Sequence, residues 1–280
     1  MTVEKVGRPV VVGVDGSEGA DSAVRWGARY ASETGSPLHL MFAAGHPTGV
    51  IGVSTGEVEL AERLRDRVLS TAAAAAAPYE ADVVLVRGAA VRTLTAATAE
   101  ADLLVLGESH RRSGLAVQIV AEAECPVVVV RGDDDWAAPI VVAVDDGSEA
   151  AMGFAVREAA RRGVALFAVH AWQQPLVPSG AGALAVAGST GVVDRQDWAD
   201  AARRSLSEAV APWRSAFPEV AIHERLIEGP AEGVVTHETA GAGLVVAGSR
   251  GRGRLAGMLL GSTSQALLRH ADCPVAVVKS

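Results

Sequence analysis

Residues 8–31 read RPVVVGVDGSEGADSAVRWGARYA and residues 138–163 read APIVVAVDDGSEAAMGFAVREAARRG. Each runs through an apolar stretch, an Asp, Gly-Ser-Glu and then an amphipathic segment, so the chain is written twice. The correspondence continues outward. LVRGAAVRTLTAATAEADLLVLGES (85–109) matches LIEGPAEGVVTHETAGAGLVVAGSR (226–250) without a gap, and AECPVVVVRG matches ADCPVAVVKS at the ends. The polar, Pro-ended GDDDWAAP (132–139) reads as the linker, giving domains over 1–135 and 136–280.

Within each copy, uninterrupted apolar runs such as Pro9 to Val14, Leu103 to Leu106 and Ile140 to Val144 have the character of strands covered on both faces. They alternate with longer segments of helical period, which implies right-handed βαβ crossovers and a parallel sheet. Five strands are expected per copy, near 9–14, 37–44, 81–87, 103–107 and 126–131, then near 139–144, 164–171, 220–227, 243–247 and 274–279. The fold class is α/β, with two tandem five-stranded open sheets and helices on both faces. Residues 174–191, rich in Gly and Ala, are expected to form a loop.

Composition sets limits on function. A formal charge of −8 argues against a general nucleic-acid binder, whose footprint would be basic. No apolar run reaches the length of a membrane span and the first residues lack the order of a signal peptide, so no membrane association and a cytoplasmic location are expected. The charge is uneven. Residues 1–135 hold 12 basic and 19 acidic residues, residues 136–280 hold 13 and 14, and the second half is the better host for an anion. Cys125 and Cys273 each precede Pro and a Val-rich run, which predicts buried structural thiols. The histidines have no ligand spacing and no catalytic set is deducible, so neither a metal nor a nucleophile is expected.

In open α/β sheets a ligand sits outside the carboxyl ends of the strands, where strand order reverses. Asp145 follows the first strand of the second copy. Gly248 follows the fourth and opens GSRGRGRLAGMLLGST (248–263), with five glycines and three arginines. Facing loops of this kind, with a helix starting near Gly261-Ser262-Thr263, would converge backbone N–H groups and a helix dipole on a phosphate. Arg250 is a candidate to touch it. Asp145 has a plainer alternative as a helix cap. The first copy lacks the cradle: Gly107 and His110 stand opposite Gly248 and Gly251, RGRLAGM has no counterpart, and Ser113-Gly114 falls where Gly261-Ser262 does.

The spacing Gly248-x2-Gly251-x9-Gly261-Ser262, after an apolar strand and before a helix ending in CPVAVV, resembles the ATP-binding signature of the universal stress protein family. The VDGS and VDDGS turns resemble that family's first-strand turn, and the whole chain resembles a tandem member. The resemblance implies the adenine-nucleotide alpha hydrolase-like fold, strand order 3-2-1-4-5, and domains paired through their fifth strands. It also implies ATP, with Mg2+ as its companion ion: Asp145 and the backbone near Val169 toward the adenine, Gly248 toward the ribose, and Gly251, Gly261, Ser262 and Thr263 toward the phosphates. The first domain retains Asp15 but departs from the pattern. The implied function is an ATP-binding stress-response regulator without rapid catalysis, the alternative being an enzyme of adenylate chemistry on the same sheet. A homodimer is expected beyond the intrachain pair, on surfaces the sequence does not specify.

Overall fold

The computed structural model describes residues 7–44, 55–108, 113–132, 134–174, 195–249 and 260–279. The first half contains β1 (Val10–Gly13), α1 (Glu18–Thr34), β2 (Leu38–Ala44), α2 (Thr55–Ala76), β3 (Asp82–Arg87), α3 (Ala90–Ala97), β4 (Leu103–Gly107), α4 (Ser113–Glu122) and β5 (Val127–Val130). The second contains β6 (Ile140–Ala143), α5 (Glu149–Arg162), β7 (Leu166–Trp172), α6 (Arg195–Ala216), β8 (Ile222–Glu228), α7 (Ala231–His237), β9 (Leu244–Gly248), α8 (Ser262–His270) and β10 (Val275–Val278). Most of the expected loop at 174–191 lies outside the described residues.

Each half has the order 3-2-1-4-5 with parallel neighbours. The two five-stranded sheets pair through their fifth strands, as expected. They join edge to edge as a single ten-stranded sheet, β3-β2-β1-β4-β5-β10-β9-β6-β7-β8, through an antiparallel β5–β10 pair that sets Val275 opposite Val129 and Val277 opposite Val127. Two Val-rich edges that would otherwise present unpaired backbone groups thereby satisfy each other.

Alternate strand residues divide between two apolar layers. Val10, Val12, Val128, Ile140, Val142 and Ala276 face α1, α2, α5 and α6, while Val11, Val127, Val129, Val141, Val275 and Val277 face α3, α4, α7 and α8. Both layers run across the junction, so the domains share their cores. The repeat extends to single hydrogen bonds: buried Thr98 accepts the Glu124 N–H (2.9 Å), and buried Thr239 accepts the Asp272 N–H (3.1 Å). Both cysteines are buried and free, with burial pushing Cys125 up to about 11 and Cys273 up to about 12. They are inert packing groups, as expected from their position. Among the described residues no helix is long and apolar enough to cross a membrane.

Polar groups also seal the junction. On one face α1 meets α5 around Trp136, which packs edge-on to Trp26 (5.3 Å between centroids) under the guanidinium of Arg162 (3.8 Å). Glu158, 3% exposed, bonds to Arg162 (3.1 Å) and Arg161, and Arg161 continues to Glu33 of α1. On the other face Arg131, just after β5, donates to the Leu267 and Arg269 carbonyls (3.1 Å each) and pairs with Glu108 (3.1 Å). A cation thus satisfies the C-terminal carbonyls of α8 from the other domain, at the end where the helix dipole favours it.

Candidate functional site

The sheet places Asp145 and Gly248 as expected, at the carboxyl ends of β6 and β9, which are direct neighbours. Strand β7 anchors the exit of β6. The Val144 N–H bonds to the Val169 carbonyl (2.8 Å), and buried His170 Nδ1 donates to the Val144 carbonyl (2.7 Å). The acceptor is a carbonyl, so the proton sits on Nδ1. Val169 is fully buried in β7. His170 was legible in sequence only as a polar residue in an apolar strand; its role is to fix the loop that carries Asp145.

The turn after β6 is one residue longer than its counterpart after β1. In Asp145-Asp146-Gly147-Ser148 the Ser148 N–H bonds to the Asp145 carbonyl (3.2 Å), and Gly147 takes φ +97°, a conformation that favours glycine. The Ser148 hydroxyl donates to the Asp145 carbonyl (2.8 Å) and accepts the Asp145 N–H (3.2 Å), binding the turn to itself. Ser148, not Asp145, holds the N-cap position of α5. In the first domain the Ser17 N–H and hydroxyl bind Asp15 Oδ1 (3.0 and 2.6 Å), while Ser17 Oγ accepts the Ala20 N–H (3.2 Å).

Opposite Asp145, the end of β9 is fastened to α8. The Ser264 hydroxyl donates to the Gly248 carbonyl (2.6 Å), the Ser249 N–H bonds to the Val278 carbonyl (2.7 Å), and the Gly261 N–H bonds to the Ser249 carbonyl (2.9 Å). Ser264 was missed in sequence, although it belongs to the hydroxyl run Ser262-Thr263-Ser264. Gly261 is the N-cap of α8 with φ −69° and ψ 155°, and no side chain caps it. The first turn of α8 thus presents its N–H groups and the positive end of its dipole without a capping side chain. Because φ at Gly261 is negative, the backbone conformation there does not require glycine. Arg250 and Gly251 lie outside the described residues.

The first domain shows what this place in the fold encloses. A cavity of about 180 Å³ opens at the ends of β1, β2 and β4, lined in part by Asp15, Met41, Gly107 and Leu115. By strand register and by distance to Cys125 and Cys273, these are the counterparts of Asp145, Val169, Gly248 and Thr263. That first-domain cavity gathers the counterparts of Asp145, Val169, Gly248 and Thr263, whereas Ser262 itself lines a separate groove between α7 and α8 with Glu232, His237 and Gln265. The cleft's far end differs between domains: Leu115 and Ala116 in the first, Thr263 and Ser264 in the second.

The sequence profile of the universal stress protein family matches residues 7–131 and 138–279. Universal stress protein Rv2005c of Mycobacterium tuberculosis is 34% identical, and Universal stress protein Rv2623 of the same organism 32%, each comparison covering 96% of both chains. A crystal structure of a universal stress protein from Archaeoglobus fulgidus superposes with a TM-score of 0.67 at 17% identity, covering 98% of this chain and 99% of that one.

Proposed function

The chain belongs to the universal stress protein family, and from that premise we propose that it is a cytoplasmic stress-response regulator whose second domain holds ATP. The observation that carries the reading is the asymmetry of one cleft. Asp145, Val169 and Gly248 occupy positions that line a cavity in the first domain, and in the second a hydroxyl-rich helix N-terminus without a side-chain cap closes the far end. A polyphosphate fits that end because uncapped N–H groups and aligned peptide dipoles stabilise an anion without moving. Asp145 and the β7 backbone at Val169 would face the adenine and Gly248 the ribose. Gly261, Ser262 and Thr263, joined by Gly251 and Arg250, would take the phosphates, with Mg2+ as companion ion. The nucleotide acts as a held ligand that changes the protein's partners. Turnover is expected well below about one per second, the lower end of ordinary enzymes.

Titration calorimetry with ATP tests this reading. One site per chain is expected. Two sites would show that the first domain's cleft also takes nucleotide, and none would remove the proposal.

A further inference from the structure

Strand β7 reads LFAVHAW, and its one polar side chain other than the terminal indole, His170, is 5% exposed. A buried imidazole is costly unless it is hydrogen-bonded, so its bond should be the reason it is there. Strand register makes Phe42 its counterpart in the first domain, one residue after Met41 as His170 is one after Val169. The backbone half of the arrangement is common to both domains: Val14 N–H bonds to the Met41 carbonyl (3.0 Å) and Val144 N–H to the Val169 carbonyl (2.8 Å). The side-chain half is not, because a phenyl ring has nothing to donate. An aromatic ring at this position therefore suffices for the fold, and the imidazole adds only its bond to the Val144 carbonyl (2.7 Å).

That carbonyl belongs to the same planar peptide unit as the Asp145 N–H. The unit is tied at both ends, its C=O to His170 Nδ1 and its N–H to the Ser148 hydroxyl (3.2 Å), so it cannot rotate without losing both bonds. The first domain handles its serine differently: Ser17 binds the Asp15 carboxylate (2.6 and 3.0 Å), whereas Ser148 binds the Asp145 backbone. We infer that His170 is a positioning residue for the nucleotide, fixing the peptide that enters Asp145 so that the aspartate is already set toward the adenine before ATP arrives. This rests on the ATP reading above. A loop ordered in advance loses less entropy on binding, and affinity rises by that difference. The first domain, with Phe42, lacks this device as well as the hydroxyl run.

Calorimetry with ATP on the full chain tests the inference through three substitutions. His170→Phe writes in the first domain's residue and should weaken binding roughly threefold to tenfold, the range of one net hydrogen bond, with the melting point little changed. His170→Asn places its amide nitrogen where Nδ1 stands and should bind like the wild type. His170→Gln places the same amide where Nε2 stands, out of line with the Val144 carbonyl, and should behave like His170→Phe. A merely polar or space-filling role would not separate Asn from Gln. Nitrogen-15 spectra of the ATP-free protein, with the His170 signal assigned by its absence from His170→Asn, should show the Nδ1-protonated ring. Unchanged affinity in His170→Phe, or equal affinity in the Asn and Gln variants, overturns the inference and leaves the ATP reading standing. A ring protonated on Nε2 alone overturns it whether or not ATP binds. A wild type that binds no ATP removes both.

Discussion

The two clefts of this chain share a frame and differ at one end. Both begin with an Asp after the domain's first strand and pass a Gly at the end of its fourth. Their helices then diverge: α4 brings Leu115 and Ala116 where α8 brings Thr263 and Ser264. Packing is nevertheless equivalent, down to the paired Thr98 and Thr239 bonds. The hydroxyl run and the seven extra residues RGRLAGM (252–258) are thus not needed to fold the domain. Features that a fold does not require, retained in one copy of a repeat, are where function is to be sought.

The largest expected effect comes from breaking the seam that makes the two clefts one molecule. Val277 is 2% exposed and opposes Val127 in the β5–β10 pair. Val277→Glu would bury a carboxylate among Val129, Val275 and Leu267 without a partner, costing about 3–5 kcal/mol. A denaturant melt should show both domains losing stability together. Val277→Ala should cost about 2 kcal/mol by the cavity it leaves. An unaltered melting point in the Glu variant would refute a shared core.

A smaller effect should follow from writing the first domain's residues into the second. Ser262→Gly with Thr263→Leu imports Gly114 and Leu115 at the start of α8. Each lost hydrogen bond to a charged phosphate is worth about 1.5–3 kcal/mol. ATP affinity should therefore fall roughly tenfold to about 150-fold for each bond lost, while the melting point of the free protein moves little. The reverse change, Leu115→Thr, should not create a site, because the segment RGRLAGM (252–258) has no equivalent there. Calorimetry checks both. Unchanged affinity in the first variant would mean that phosphate is held elsewhere.

Much of the frame was legible because uninterrupted apolar runs can only be strands covered twice, and because the chain states each run in duplicate. The β5–β10 seam was legible for the same reason: two Val-rich edges in one chain have to be covered. Other features were hidden by the sequence's silence about what lies opposite. Glu158 and Arg162, four residues apart on a helix, have the pattern of an ordinary solvated pair; only the approach of α1 and Trp136 buries them. Trp198 reads as a packing residue and is 39% exposed. At the site, Asp145, Gly248 and Gly261 were legible from strand ends and glycine spacing, whereas the anchoring role of Ser264 depends on a contact across sixteen residues.

The last difference between the halves lies on α5, and it makes the smallest prediction. Burial pushes the Glu158 carboxyl up to about 7, against the pull of Arg162 beside it. The groups facing it are Arg157, Arg161 and Arg162 on its own helix, then Arg29, Tyr30 and Glu33 on α1, with burial pushing Tyr30 up and Arg161 down to about 10. In the unfolded chain Glu158 titrates near the ordinary carboxylate value of about 4.3. Between that value and about 7 the folded protein binds a proton that the unfolded chain does not. This group therefore favours the fold at mildly acidic pH, and its contribution is lost as pH rises through about 7. Wild-type protein should melt roughly 2–4 °C lower at pH 8 than at pH 5.5 on this account. Glu158→Gln, which has no proton to lose, should flatten the slope. A wild-type slope of the opposite sign, or one unchanged by Glu158→Gln, would mean that Arg161 and Arg162 hold the carboxylate ionised despite its burial.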